Sequence, residues 1–265
     1  DVALALLLGI VEGMRVEEGP DELTADIFEA ECEMSVLVDS VMATFLVSGS
    51  VTWLYYSDRL LEFPLGVFGV ALSTVILPNL SRKHAQKTTD TFSATLDWAL
   101  RLALIITLPA AVGLAVLAQP LLITMFQYRA FTAEDVHMTS LSLAALSLGL
   151  PAFIAVKVLA PGYYARQDTR TPVRFAIISM VSNMGLNLLF VGVLLALHFK
   201  GPHAGLALAS AIASYINAYM LYQGLRHDGV YHPAHGWSRV LFAVLTATAA
   251  MAVWLLWRYG STEAW

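Results

Sequence analysis

Long apolar stretches separated by short polar ones constrain this chain more than any other feature of its sequence. A helix needs about 20 mostly apolar residues to cross a bilayer. Six segments meet that condition, at roughly 41–80, 95–118, 138–164, 172–197, 203–225 and 238–259. Composition agrees, since 58% of the residues are hydrophobic and 13% are charged, whereas about a quarter of a typical soluble domain is charged. The pattern predicts an all-α fold, a polytopic transmembrane helix bundle.

The first apolar segment is too long for one simple helix. Residues 41–80 are therefore expected to hold the end of one span, a turn near residues 48–50, and then a second span. Buried helices of a large soluble protein are the alternative, but such helices carry polar stripes at the helical period. Residues 172–197 and 203–222 show almost none, so the sequence favours a membrane protein.

The Lys and Arg residues of the loops predict the orientation of the bundle. Three loops are basic. The first follows residue 80, the second occupies residues 165–174 and the third residues 225–239. The intervening loops, 127–135 and 196–204, carry one Lys or Arg each. Because cytoplasmic loops are enriched in these residues, the alternation places the three basic loops inside the cell.

Several classes of function find no support in the sequence. The net charge of -5 comes mostly from acidic residues 12–33, and the remaining Lys and Arg form short clusters, so no nucleic-acid partner is predicted. Cys32 is the single cysteine, which excludes an internal disulfide or a CxxC site. There is no GxSxG, HExxH or P-loop motif, so we predict no catalytic residues and no enzyme.

A short charged group interrupts the apolar stretch WLYYSDRLLEFPLGVFG at residues 53–69. A charge at the centre of a bilayer costs about 2.5–3.5 kcal/mol, so Asp58, Arg59 and Glu62 need a reason to be there. Helical spacing brings Glu62 within reach of Arg59. One positive and two negative groups cannot cancel fully, and we therefore expect one of them to face water or a ligand.

Helix-distorting residues follow these charges directly. Pro64 removes a backbone donor and Gly66 adds a bending point, so the helix is expected to be kinked or broken there. An interrupted helix beside buried charge is typical of a transporter site that lines a water-filled cavity. The alternative is a charge cluster at the membrane surface, with the span beginning at Phe63 and the preceding aromatic residues forming an interfacial belt.

Two stretches of the chain resemble the MurJ (MviN) family of bacterial lipid II flippases. They are SGSVTWLYYSDRLLEFPLGVFGVALSTVILPNLSR at 48–82 and KVLAPGYYARQDTRTPVR at 157–174, and the resemblance runs from about Val36 to Gly260. It implies a fourteen-helix inner-membrane transporter of the MOP exporter superfamily. This chain would then be a MATE/MOP-like second lobe, from the end of the seventh helix through the thirteenth.

The resemblance also implies a substrate and a binding residue. The family moves lipid II, the undecaprenyl-pyrophosphate-linked peptidoglycan precursor, between leaflets, and Arg59 matches its essential arginine in the eighth helix, with Asp58 and Glu62 beside it. An arginine fork suits pyrophosphate oxygens. The expected partners are lipid II, membrane lipids and the missing N-terminal lobe. An exporter of another polyprenyl-linked glycan or drug, or a non-transporting scaffold for cell-wall synthesis, are the alternatives.

A sodium site is a further implication of the resemblance. Some relatives bind sodium through an aspartate of the seventh helix and polar residues of the eleventh and twelfth, and Asp39, Asn183 and Asn187 resemble that set. Carboxylate and amide oxygens suit a hard cation. Interhelical hydrogen bonding by buried amides is the alternative. Apart from this sodium, no cofactor is predicted.

Three segments are expected along the chain. Residues 1–34 form an atypical acidic segment that does not fit the family, which an insertion, a fused segment or an upstream sequence error would explain. Residues 35–226 form the second lobe, and residues 227–265 a loop and an additional C-terminal helix. The start without Met and the absent fourteenth helix indicate a fragment of a longer protein. In the basic loop, Thr171 is expected to cap a helix beginning at Pro172.

Overall fold

The structure is a computed structural model that describes residues 37–86, 89–128, 131–197 and 201–259. Within these ranges the chain is helical and contains no β-strand. The acidic segment 1–34 lies outside the described residues, so its interpretation stays a prediction.

The described helices follow one another through short connections. They are α1 (37–44), α2 (Ser50–Pro64), a π-helical segment (Leu65–Val70), α3 (Ala71–Ala85), α4 (Thr89–Phe126), α5 (Ala133–Ser147), α6 (Leu150–Tyr164), α7 (Arg170–Ala196), α8 (His203–His227) and α9 (Trp237–Tyr259). Five helical stretches of the described chain are long and apolar enough to cross a membrane, and α5 with α6, bent by 40°, makes a sixth. This count confirms the predicted transmembrane bundle.

A glycine makes the predicted turn between α1 and α2. Residues 45–49 form the turn, and Gly49 precedes α2 with a φ of 102°, a conformation that side chains rarely tolerate. A Cβ at Gly49 would also lie 2.8 Å from the ring of Trp53. The position therefore requires glycine on both counts.

Two helix starts follow from side-chain caps. Thr132 and Asp135 form a capping box at α5, in which each side chain accepts the other residue's backbone N–H. The expected cap at Thr171 is wrong, because α7 begins at Arg170. Asp168 Oδ1 accepts the Thr171 N–H at 3.1 Å instead, so an acidic side chain three residues upstream takes the capping role assigned to the threonine.

The loops alternate between the two ends of the bundle, as the charge pattern predicted. At one end, Arg166 of the α6–α7 loop pairs with Asp228 of the α8–α9 loop at 2.9 Å, and Lys83 of α3 donates to the Thr91 carbonyl of α4 at 3.2 Å. We call this the basic end. The end of α4, the start of α5, the end of α7 and the start of α8 lie at the opposite end. The placement of the basic end in the cytoplasm stays a prediction.

Helix α6 forms the centre of the bundle. Leu150, Ile154, Val158 and Tyr163 are inaccessible on it, and the helix packs against the π-helical segment, α3, α4 and α8. Outer faces are apolar, since large side chains such as Leu188 and Trp257 are 68% and 82% exposed. Exposed apolar surface of this kind suits contact with lipid.

A buried carboxylate fixes the α8–α9 loop to α4. Asp97 is 4% exposed, and its Oδ1 accepts hydrogen bonds from Tyr231 Oη at 2.9 Å, Ala234 N at 3.2 Å and Trp237 Nε1 at 2.7 Å. Its Oδ2 lies 2.7 Å from Nε of Arg101. The charge is thus fully compensated by groups from three different elements.

Further contacts tighten the same loop. Arg101 Nη2 donates to the carbonyls of Ala234 and His235, both at 3.1 Å, and Ser93 Oγ exchanges hydrogen bonds with the backbone of His232. Burial and the adjoining carboxylate raise the pKa of Tyr231. The phenol therefore stays protonated and remains a donor to Asp97.

Replacing Asp97 tests this network. We expect Asp97→Ala to destabilise the full-length protein by about 3–5 kcal/mol, because removing one member of a buried pair leaves Nε of Arg101 and three hydrogen-bond donors without their acceptor. The midpoint of thermal unfolding in detergent measures the loss. Asp90→Ala is the matched control, since Asp90 is exposed in the first turn of the same helix. Equal midpoints for the two variants would contradict the network's role.

Candidate functional site

One face of α2 is anchored to the bundle. Its buried residues are spaced about one turn apart and are Ser50, Trp53, Ser57, Leu61 and Pro64. Trp53 Nε1 donates to Asp135 Oδ1 of α5 at 2.8 Å, and Ser57 Oγ lies 3.0 Å from the Thr139 carbonyl. These contacts fix the rotation of α2 about its own axis.

The opposite face of α2 carries the charged residues that the sequence analysis singled out. Arg59 Nη1 lies 2.6 Å from Glu62 Oε2, and the two side chains are 55% and 49% exposed. The guanidinium also lies over the ring of Tyr55, 5.0 Å from its centroid. Asp58, next to Arg59 in sequence, is half-buried. We call Tyr55, Asp58, Arg59 and Glu62 the charged face of α2.

The charged face belongs to the packed bundle. The helix begins at Ser50, well before Phe63, and the buried face beneath the charges contacts α5 along two turns. The helical stretch that contains it runs from Ser50 to Ala85. The positive charge of Arg59 and the negative charge of Glu62 offset each other, so Asp58 remains as an additional acid.

A π-helical segment marks the place where a kink or break was expected. It occupies Leu65–Val70, directly after Pro64, and the chain stays helical on both sides. A Cβ at Gly66 would meet no atom within 4 Å, whereas a Cβ at Gly69 would lie 2.6 Å from Lys157 Cδ. Gly69 therefore gives the aliphatic stem of Lys157 room to cross the segment, which sequence analysis had not assigned to it.

A second polar cluster joins three helices. Asp39 of α1 accepts hydrogen bonds at Oδ1 from Asn187 Nδ2 at 2.6 Å and Asn183 Nδ2 at 3.3 Å. Its Oδ2 accepts one from Ser210 Oγ of α8 at 2.6 Å. The structure thus brings Asp39, Asn183 and Asn187 together, and adds Ser210. Sequence reasoning missed this serine because a single small hydroxyl in a span usually serves helix packing.

The Asp39 cluster has the donor set of a site for a hard cation. Asn183 and Asn187 are 2% and 0% exposed, and Asn187 Oδ1 is buried with no hydrogen-bond partner among the described residues. Carboxylate, amide and hydroxyl oxygens are the ligands that such cations prefer. In the observed arrangement the amide nitrogens face Asp39, so a cation would require the amides to turn their oxygens inward.

Comparison with known proteins identifies what the chain resembles. Residues 30–265 match the family described as lipid II flippase MurJ. The chain is 50% identical over 230 residues to a probable lipid II flippase MurJ of Haemophilus influenzae, covering 84% of this chain and 44% of that protein. The corresponding protein of Vibrio cholerae is 47% identical over 233 residues, covering 88% and 43%. The chain thus spans less than half the length of these relatives.

Solved structures give the same picture. The inward closed conformation of lipid II flippase MurJ matches with a TM-score of 0.72 and 28% identity, covering 88% of this chain and 46% of that one. A MATE protein in its bent conformation matches with a TM-score of 0.63 at 14% identity, covering 85% of this chain and 50% of that one. The second likeness shows the fold alone.

The two glycines of the π-helical segment offer a matched test of the Lys157 contact. Gly66→Ala is expected to be neutral or to stabilise by up to about 1 kcal/mol, because alanine reduces the entropy of the unfolded chain. Gly69→Ala is expected to gain less, since its methyl group must displace the Lys157 stem. Thermal midpoints of the two full-length variants check this order, and a higher midpoint for Gly69→Ala than for Gly66→Ala would contradict it.

Proposed function

The chain belongs to the MurJ family of lipid II flippases, and on that premise we propose that it is the second transmembrane lobe of a transporter for lipid II. The proposed activity is movement of the undecaprenyl-pyrophosphate-linked precursor across the bacterial inner membrane. The two lobes would rock about each other, so that a cavity between them opens to one side and then to the other.

The charged face of α2 is the observation that carries this proposal. Its other face is fixed to α5, so Arg59 points away from the described helices that hold α2 in place. A charged side chain within a span faces a water-filled cavity or another part of the protein. The cation with its planar fork of donors is suited to a pyrophosphate that enters such a cavity.

Glu62 and Tyr55 would hold this cation ready for an anion. Both contact the guanidinium, Glu62 through an ion pair and Tyr55 through its ring. A pyrophosphate carries more charge than one carboxylate and competes for the same donors, so Glu62 acts as a replaceable partner. The pair keeps Arg59 oriented and partly neutralised while the cavity is empty.

The other lobe would supply the rest of the substrate site. The chain spans 44% of its Haemophilus relative and 46% of the matching flippase structure. One arginine cannot neutralise a pyrophosphate alone. We therefore place the remaining cationic contacts in the other half of a full-length protein.

Sodium is the proposed coupling ion, and the Asp39 cluster is its proposed site. Asp39, Asn183, Asn187 and Ser210 would hold the ion through oxygen atoms, and the ion would supply a positive charge that joins three helices. The buried Asn187 Oδ1, without a partner in the described chain, supports this assignment.

Complementation of a flippase-depleted bacterium tests the role of Arg59. The full-length gene should rescue growth, whereas Arg59→Ala should not rescue at the same membrane level, because the cavity loses its cation. Arg59→Lys should rescue weakly, since it keeps the charge and loses the fork. Arg174→Ala is the control, an exposed arginine at the basic end. Full rescue by Arg59→Ala would make the residue structural and would favour a scaffold over a transporter.

Two serines one turn apart on α8 test the sodium proposal. Sodium chloride, compared with choline chloride, should raise the thermal midpoint of the full-length protein. Ser210→Ala should weaken the sodium affinity by at least about tenfold, a typical effect of altering a metal site. Ser214→Ala should leave it unchanged, because Ser214 donates to the Ser210 carbonyl and not to Asp39. Absence of any sodium-specific shift would leave the cluster as a hydrogen-bonded helix junction.

A further inference from the structure

A cavity at the basic end takes no part in the proposed transport path. It has a volume of about 580 Å³ and lies between the end of α8 and the start of α9, lined by Tyr222, Tyr231 and residues 233–238. This volume is in the range of roughly 300–1,000 Å³ typical of small-molecule sites. None of its lining residues belongs to the charged face of α2 or to the Asp39 cluster.

Two arginines stack on the aromatic walls of this cavity. Arg101 lies over the Trp237 ring with its guanidinium carbon 5.3 Å from the centroid, and Arg226 lies over the Tyr222 ring at 5.7 Å. Arg239 adds an exposed cation in the first turn of α9. Aromatic side chains of the lining are thus in contact with positively charged groups.

Backbone donors add to this positive potential. The first N–H groups of a helix have no partner within it, and Trp237 and Ser238, the first two residues of α9, line the cavity. The positive end of the α9 dipole lies at the same place. A Cβ at Gly236 would be 3.9 Å from Arg101 Nη1, so a guanidinium and the helix start lie side by side.

The carboxylates nearby are already committed to other groups. Asp97 pairs with Arg101 and accepts three hydrogen bonds, and Asp228 pairs with Arg166. Arg226, which stacks on Tyr222 of the lining, and Arg239, next to Ser238 in sequence, are therefore the cations that we assign to the rim of the cavity. The Asp97 network also holds the loop in place, so the cavity is preformed.

The position of the cavity indicates where its ligand comes from. Two spans, α8 and α9, end and begin at its rim, and tyrosine and tryptophan are enriched at the level of lipid headgroups. An anion that meets this rim is most readily the phosphate of a membrane lipid. We propose that the cavity binds the phosphate-bearing headgroup of an anionic phospholipid, a role independent of the proposed transport of lipid II.

Phosphatidylglycerol and phosphatidylcholine are the probes for this site. Purified full-length protein in mild detergent would be titrated with each lipid, and with inorganic phosphate, while the thermal midpoint is followed and the retained lipid is counted by native mass spectrometry. We expect phosphatidylglycerol to stabilise the protein and to be retained in preference to phosphatidylcholine. Inorganic phosphate should give no shift at the same concentration, since it lacks the acyl chains.

Two double variants separate a specific site from general charge attraction. Arg226→Gln with Arg239→Gln should weaken phosphatidylglycerol binding by at least about tenfold, because charge-assisted hydrogen bonds are lost. Arg170→Gln with Arg174→Gln removes two exposed arginines from the same end and should leave binding intact. The midpoints of both variants without lipid check that each is folded.

Three results would overturn the proposal. Equal losses in the two double variants would show non-specific attraction, and equal retention of the two lipids would show that charge is not recognised. A full shift from inorganic phosphate alone would replace the lipid with a soluble anion. The lipid-binding experiment does not measure transport. Its result is therefore independent of whether the Arg59 variants rescue growth.

Discussion

A charge that leaves water for a bilayer must find a partner or a cavity, and the described chain is organised around that constraint. Asp97 meets it by burial within a full set of donors beside Arg101. Asp39 meets it through amides and a hydroxyl from two other helices. Arg59 has one carboxylate and one ring as partners and remains half exposed. The degree of compensation separates the positions that stabilise the fold from Arg59, the position that we propose meets a substrate.

The two faces of α2 show how packing gives a charge its direction. Trp53 and Ser57 attach one face of α2 to α5 through hydrogen bonds. Arg59 lies on the opposite face and therefore points away from α5. The π-helical segment follows within a few residues and changes the helical phase of everything after it. Gly69 then allows Lys157 to pass close to the backbone. A rigid anchor beside a deformed segment is an arrangement suited to a helix that must move relative to its neighbours.

Much of the fold could be predicted because it depends on local sequence. Apolar length identified the spans, Gly49 accounts for the predicted turn, and loop charge gave the alternation of ends. Resemblance to a family supplied Asp39, Asn183 and Asn187 as a group, and the structure brings them together. Ser210 and the Asp97 network were missed, since each depends on contacts between residues more than a hundred positions apart. Hydroxyl and aromatic residues in spans are too common for their partners to be read from one sequence.

By itself, the sequence determined that this chain is a bundle of membrane-spanning helices with charges inside one span. That conclusion follows from the free energy of transferring side chains out of water, which each residue carries wherever it lies. Only the tertiary structure decided which charges are neutralised by neighbouring groups and which remain exposed. A buried charge is neutralised only when donors and acceptors from separate helices lie within hydrogen-bonding distance of it. The rotation of each helix about its axis determines whether they do. Helix packing therefore decided that Asp97 is buried among donors and that Arg59 remains half exposed.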